Sequence, residues 1–173
     1  YEYDTLILAT GSSARKFDFG NPDMEGLFTL RKIKDADVIK QYMKKNGVKD
    51  VFVVGGGLLG IELAYHLNKS GYNLTICEVQ PYLLPRQLDK GTANMLEDYI
   101  EAHDIEVICG SSIDSITQEN GKKSVKLAEG DTLSTDMILE QVGIIPNIQL
   151  AKEADLETKK GIVVNEYMQT RSE

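Results

Sequence analysis

The sequence predicts an α/β fold: a parallel sheet with helices on both faces and an inserted antiparallel β-meander, three layers in all. Three observations carry this. Short valine- and isoleucine-rich runs are apolar at consecutive positions, the pattern of strands covered on both sides. Segments with apolar residues three and four apart alternate with those runs. After the third such run the period shortens to two, with turn residues between, which marks antiparallel pairing.

Taken in order, Thr5-Leu6-Ile7-Leu8-Ala9 is a β-prone run closed by Thr10-Gly11-Ser12-Ser13, and Gly20-Asn21-Pro22-Asp23 is turn chemistry. From Asp35 to Lys45 the residues Ala36, Val38, Ile39, Tyr42 and Met43 fall at helical spacing, and Asn46-Gly47 supplies the stop. Val51-Phe52-Val53-Val54 reads as a central parallel strand. Leu58 to Ser70 repeats helically through Leu59, Leu63 and Leu67 and ends at Gly71, and Leu74-Thr75-Ile76-Cys77 is the next strand. Asp89 is a suitable N-cap for a helix carrying Leu96, Tyr99 and Ile100, before a strand at Ile105-Glu106-Val107-Ile108. Ile113 and Ile116, the Asn120-Gly121 turn, Val125-Lys126-Leu127 and Glu129-Gly130-Asp131 outline the meander, after which Met137-Ile138-Leu139 rejoins the main sheet.

The chain of 173 residues is 42% hydrophobic and 27% charged, which fits one soluble globular domain over residues 1–173. Its longest apolar runs fall well short of the ~18 residues that span a bilayer. A net charge of -8 without any basic stripe argues against nucleic acid as a partner. Cys77 and Cys109 form no CxxC pair, disulfide framework or zinc spacing, so no metal site is expected and the setting reads as cytoplasmic. His66 and His103 lack the partners that nucleophilic catalysis needs. Tyr1-Glu2-Tyr3 at one end and Arg171-Ser172-Glu173 at the other read as cuts from a longer polypeptide.

The chemistry concentrates at Gly55, Gly57 and Gly60, which fit G-x-G-x-x-G between a strand and a helix inside a βαβ unit, the setting of a Rossmann-like dinucleotide site. Gly55 permits the tight turn, Gly57 lets backbone approach a pyrophosphate, and Gly60 lets the helix pack closely on the strand. The helix N-terminus offers free N–H groups and partial positive charge to the phosphates. A P-loop is excluded, because Ile61-Glu62 stands where a lysine and a hydroxyl residue are needed. Glu78 ends the following strand, close to the roughly 20-residue distance of the acid that binds the adenosine ribose. A carboxylate there accepts from the 2'- and 3'-hydroxyls and opposes a 2'-phosphate by on the order of several kcal/mol, so NAD(H) is expected over NADP(H). Arg86 is the nearby group that could receive a 2'-phosphate instead.

With these residues in place, the chain resembles the central NAD-binding domain of the FAD-dependent pyridine-nucleotide-disulfide oxidoreductase superfamily. Four segments carry the resemblance in order: Ala9-Thr10-Gly11, where the chain leaves an FAD domain; Val54 to Glu62, the NADH fingerprint; Gly143-Ile144-Ile145-Pro146-Asn147; and Gly161 to Asn165 with Met168-Gln169-Thr170, the return. Leu83-Leu84-Pro85-Arg86-Gln87-Leu88-Asp89 is most similar to the nitrite-reductase and rubredoxin-reductase branch. The resemblance implies that residues 1–23 and 161–173 are crossover segments to an FAD domain of the same polypeptide. It implies hydride transfer from NADH to FAD, then electrons to an acceptor such as a nitrite-reductase metal centre, rubredoxin or a disulfide. Gly55, Gly56, Gly57, Leu58, Leu59, Gly60, Glu62, Glu78, Val79, Gln80, Arg86 and Gly143 would lie at the NAD, with Glu62 near the nicotinamide ribose or flavin and Val79 and Gln80 flanking the adenine. Thr10, Gly11 and Arg15 would face the flavin.

The departures also have consequences. The FAD domain's own glycine fingerprint and the Gly-Asp flavin motif are missing, so this chain is expected to hold no FAD, to contain no catalytic residue and to be inactive alone. Glu140-Gln141 replaces apolar or small residues before Gly143. A free-standing NAD-sensing or interaction module without turnover is the competing expectation.

Overall fold

The centre of the protein is a five-stranded parallel sheet, described here from a computed structural model covering residues 1–19, 24–119 and 121–171. Its strands are β2 (Leu27–Thr29), β3 (Asp50–Val54), β4 (Asn73–Glu78), β5 (Ile105–Cys109) and β9 (Met137–Glu140), in the order β2-β9-β3-β4-β5. Three helices connect them: α1 (Ile33–Asn46), α2 (Leu58–Lys69) and α3 (Lys90–Glu101). Each boundary has a chemical cause. The Asp35 carboxylate accepts the Lys32 and Arg31 N–H groups at 2.7 and 2.9 Å to start α1, and Gly47 ends it in the left-handed region at φ 60°. Asp89 accepts the Thr92 N–H at 3.1 Å to start α3.

Side chains alternate across the sheet and build two cores. On one face Val51, Val53, Leu74, Ile76, Met137 and Leu139 pack with Ile39 and Met43 of α1, Ala64 of α2 and Ile100 of α3. On the other, Phe52, Val54, Cys77 and Ile138 pack with Ile116, Val125 and Leu127 of the meander β6 (Ile113–Glu119), β7 (Lys122–Leu127) and β8 (Thr132–Thr135). The parallel sheet, its helices and the inserted meander agree with the sequence reading, and the second covering layer is the meander itself rather than further helices. Doubly apolar strands report that both faces are covered, not by which element. The meander is antiparallel throughout, and Asn120 of its expected turn lies outside the described residues.

The chain divides into two compact units: Arg15–Val142, which holds the parallel sheet and meander, and a second drawn from both ends, Tyr1–Ala14 with Gly143–Glu173. In the second unit β1 (Ser12–Ala14) pairs antiparallel with β10 (Ile144–Pro146), and a short helix, α4 (Gln149–Glu153), follows. The expected strand at Thr5–Ala9 is not formed: the extended pairing falls at Ser12–Ala14, and Leu6 and Ile7 are exposed. An apolar run becomes a strand only where a neighbour completes its ladder. The expected turn at residues 20–23 lies outside the described residues. No described helix is long and apolar enough to cross a membrane.

Candidate nucleotide site

The site begins where β3 ends. Gly55 turns the chain at φ 106°, a conformation that favours glycine, and its N–H donates to the Cys77 carbonyl at 2.8 Å. A Cβ at Gly55 would stand 2.6 Å from the Gln141 carbonyl oxygen, so both geometry and space require glycine there. At Gly60 a Cβ would run into the Gly55 carbonyl, which is how α2 comes to rest directly on the turn. Gly57 differs: it is the N-cap of α2 and faces open space, with no atom within 4 Å of a Cβ built on it. The first backbone bond of the helix is Ile61 N–H to Gly57 carbonyl at 3.0 Å, so the N–H groups of Leu58, Leu59 and Gly60 have no intrahelical acceptor. No side chain caps this helix. Open space in front of uncapped N–H donors is a cradle suited to a phosphate.

Glu78, at the end of β4, reaches back to the same turn. One carboxylate oxygen accepts the Gly56 N–H at 2.7 Å and the other the Gln80 N–H at 2.8 Å. Each oxygen keeps lone-pair capacity for a further donor, so the carboxylate is oriented and still able to receive a diol. Gly56 is held from below, since a Cβ there would lie 2.5 Å from Leu83, a fully buried side chain. Val79 and Gln80, which follow Glu78 in the chain, are exposed, as is Arg86, and Leu58, Leu59 and Glu62 are exposed on the first turns of α2. The structure therefore brings the glycine turn, Glu78 and the start of α2 together.

Two further residues abut this turn. Leu83 forms the floor under Gly56. Gln141 follows β9, donates its backbone N–H to the Val54 carbonyl at 2.8 Å, and carries a buried side-chain amide nitrogen that has no hydrogen-bond partner. A buried unmade donor costs on the order of 1–3 kcal/mol. The signal for Gln141 in the sequence was its class, an amide where the family resemblance leads one to expect a small or apolar residue. Its neighbour Glu140 is buried and accepts the Phe17 N–H at 2.9 Å; burial pushes its carboxyl above the ordinary range, opposed by that bond and the Lys16 charge.

Thr10, Gly11 and Gly143 belong to the unit drawn from the chain ends, and Arg15 is exposed at the start of the larger one. Here two of the sequence segments meet. Asn147 donates its backbone N–H to the Gly11 carbonyl and its amide to the Thr10 carbonyl, both at 2.9 Å, while the Thr10 hydroxyl donates to the Asn147 carbonyl at 2.5 Å. The last residue of Gly-x-x-Pro-Asn thus ties down the Thr-Gly segment, 137 positions away. Burial pushes the Cys77 thiol up to about 11 and that of Cys109 to about 12, aided by nearby carboxylates, so neither is a thiolate at neutral pH. Among the described residues no cluster of three or more His, Cys, Asp or Glu could hold a metal ion.

A parallel sheet with a glycine turn, an uncapped helix start and a strand-end acid is the arrangement of the doubly wound α/β class, whose members bind dinucleotides there. Residues 1–173 match the family model described as pyridine nucleotide-disulphide oxidoreductase, and the chain belongs to that family. It is 37% identical over 171 residues to an NADH oxidase from Methanocaldococcus jannaschii, covering 97% of this chain and 38% of the relative. It is 32% identical over 171 residues to a rubredoxin-NAD(+) reductase from Pseudomonas putida, covering 98% of this chain and 44% of the relative. A crystal structure of a ferredoxin reductase from Rhodopseudomonas palustris superposes with a TM-score of 0.90 at 30% identity, over 98% of this chain and 42% of that one. The chain spans less than half the length of these relatives, and the similarity to the nitrite- and rubredoxin-reductase branch agrees with the sequence reading.

Proposed function

We propose that this chain is the NAD(H)-binding part of a flavoprotein reductase. Residues 1–173 form its nucleotide domain, and residues 1–23 and 161–173 serve as crossover segments to an FAD domain of the same cytoplasmic polypeptide. The collection of both chain ends in one unit supports that arrangement. Gly55, Gly56, Gly57, Leu58, Leu59 and Gly60 hold the pyrophosphate, Glu78 the adenosine ribose, Val79 and Gln80 flank the adenine, and Arg86 is the cation nearby that could meet a 2'-phosphate. Glu62 and Gly143 serve the nicotinamide end, and Thr10, Gly11 and Arg15 the flavin side. When bound, NADH supplies a hydride for FAD, from which electrons pass to an acceptor such as a nitrite-reductase centre, rubredoxin or a disulfide. The chain's own work is to bind, orient and select the nucleotide.

The observation that carries this reading is the Glu78 carboxylate fixed at 2.7 Å on the Gly56 N–H beside an open, uncapped helix start. It turns hydroxyl acceptors toward the ribose and a negative charge toward any 2'-phosphate. Titration of the chain, followed by nicotinamide fluorescence, is expected to show NADH binding at least about tenfold tighter than NADPH, a difference of about 1.4 kcal/mol. Tighter NADPH binding overturns the Glu78 assignment. The isolated chain is expected to bind NADH without flavin absorbance and without turnover.

A further inference from the structure

Gln141 lies on the opposite side of the glycine turn from Glu78. The sheet order places β4, which ends in Glu78, on one flank of β3 and β9, which leads into Gln141, on the other. The Gln141 carbonyl is 2.6 Å from the place of a Gly55 Cβ, and its Cβ is 3.6 Å from that of a Gly60 Cβ, so the residue abuts the turn and the start of α2. Ligands of open parallel sheets lie across the carboxyl ends of the strands. A dinucleotide with its adenosine ribose on Glu78 and its pyrophosphate on α2 must therefore continue across β3 toward β9. On that flank stands Gln141, whose amide nitrogen is the one buried side-chain polar atom left without a partner among the described residues.

Resting on the NAD(H) reading above, we infer that Gln141 is a further cofactor contact: its amide nitrogen donates a hydrogen bond to an oxygen of the nicotinamide nucleoside, carboxamide or ribose. The residue would then fix the nicotinamide end as Glu78 fixes the adenosine end. An amide suits this task because it donates without adding charge beside a ring whose charge changes on oxidation.

The test uses the wild-type chain with Gln141→Met, which keeps side-chain length and removes the donor, and Gln141→Ala as a second variant without added bulk. The probes are NADH and ADP, which shares the adenosine ribose and pyrophosphate and lacks the nicotinamide nucleoside. Both variants are expected to lose about three- to tenfold in NADH affinity while ADP affinity stays within about twofold. The nucleotide-free melting temperature of Gln141→Met should equal or exceed that of the wild type, since an unmade donor is gone. Equal losses for both probes, unchanged NADH affinity, or a lower melting temperature of nucleotide-free Gln141→Met overturn the inference. A wild-type chain that binds neither probe overturns the dinucleotide reading itself.

Discussion

Glu140 shows how a single buried acid sets a local pH response. Its side chain is 2% exposed, and burial raises its carboxyl above the ordinary value of 4.5 despite the Phe17 N–H bond and the Lys16 charge. A group whose folded value is raised contributes stability in its protonated form, fully below the unfolded value, and that contribution is lost as pH rises through the folded value. Glu140→Gln keeps an oxygen for the Phe17 N–H and removes the charge. The variant should melt higher than the wild type at pH 7, with the gap closing as pH falls to 4.5; a lower melting temperature at pH 7 would contradict the burial argument. Lys123 carries a related lesson. It is 1% exposed, donates to the Tyr42 hydroxyl at 2.6 Å and the Asp136 carbonyl at 2.8 Å, and so links the meander to α1.

At the scale of elements, the three glycines of the turn separate into different tasks, and substitution distinguishes them. Gly55→Ala combines a left-handed φ with a Cβ on the Gln141 carbonyl, and should destabilise the fold by about 2–4 kcal/mol in urea unfolding. Gly57→Ala adds a methyl to open space at φ -80° and should cost no more than about 1 kcal/mol, the preference for glycine over alanine at an N-cap. The same methyl stands where a pyrophosphate would approach, so nucleotide affinity should fall about tenfold or more. A larger loss of stability at Gly57 with affinity retained would reverse these assignments. The glycine turn, α2 and Glu78 were legible in the sequence because each depends on neighbours close along the chain. β1, β2 and β10, three residues each, were not, since such short strands exist only by virtue of partners far away in sequence. Lys123 was half legible. Its period-two register with Val125 and Leu127 points inward, but residue type alone assigns a lysine to solvent. Gln141 was visible as an odd residue, and only the fold shows that its amide is buried beside the turn.

For the whole molecule, the acid limb of stability should follow its carboxylates. Asp50 is held below the ordinary range by the Asn73 amide and the Lys122 ammonium; for Asp136, burial pulls the other way but is outweighed by Lys122 and the N–H groups of Asp50 and Lys49. Depressed carboxylates give stability that is present above their unfolded value and lost as pH falls through the folded one. Urea midpoints should therefore hold above pH 3.8 and decline below it. Lys122→Met should flatten part of that decline at a cost of about 0.2–1 kcal/mol near neutrality, as these ion pairs are partly exposed. Equal midpoints at about pH 3 and 6 would contradict the linkage. The strand order carries a separate consequence for how the chain comes to be folded. β9 lies between β2 and β3, so two strands made early in translation wait for a third that is not complete until residue 140. Until then β3 has an open edge and β2 has no ladder, and the nascent protein depends on a loop closure spanning the whole helix, strand and meander interval. The last strand added to the sheet is also the one that delivers Gln141 to the glycine turn, so that side of the turn is completed at the same moment as the core.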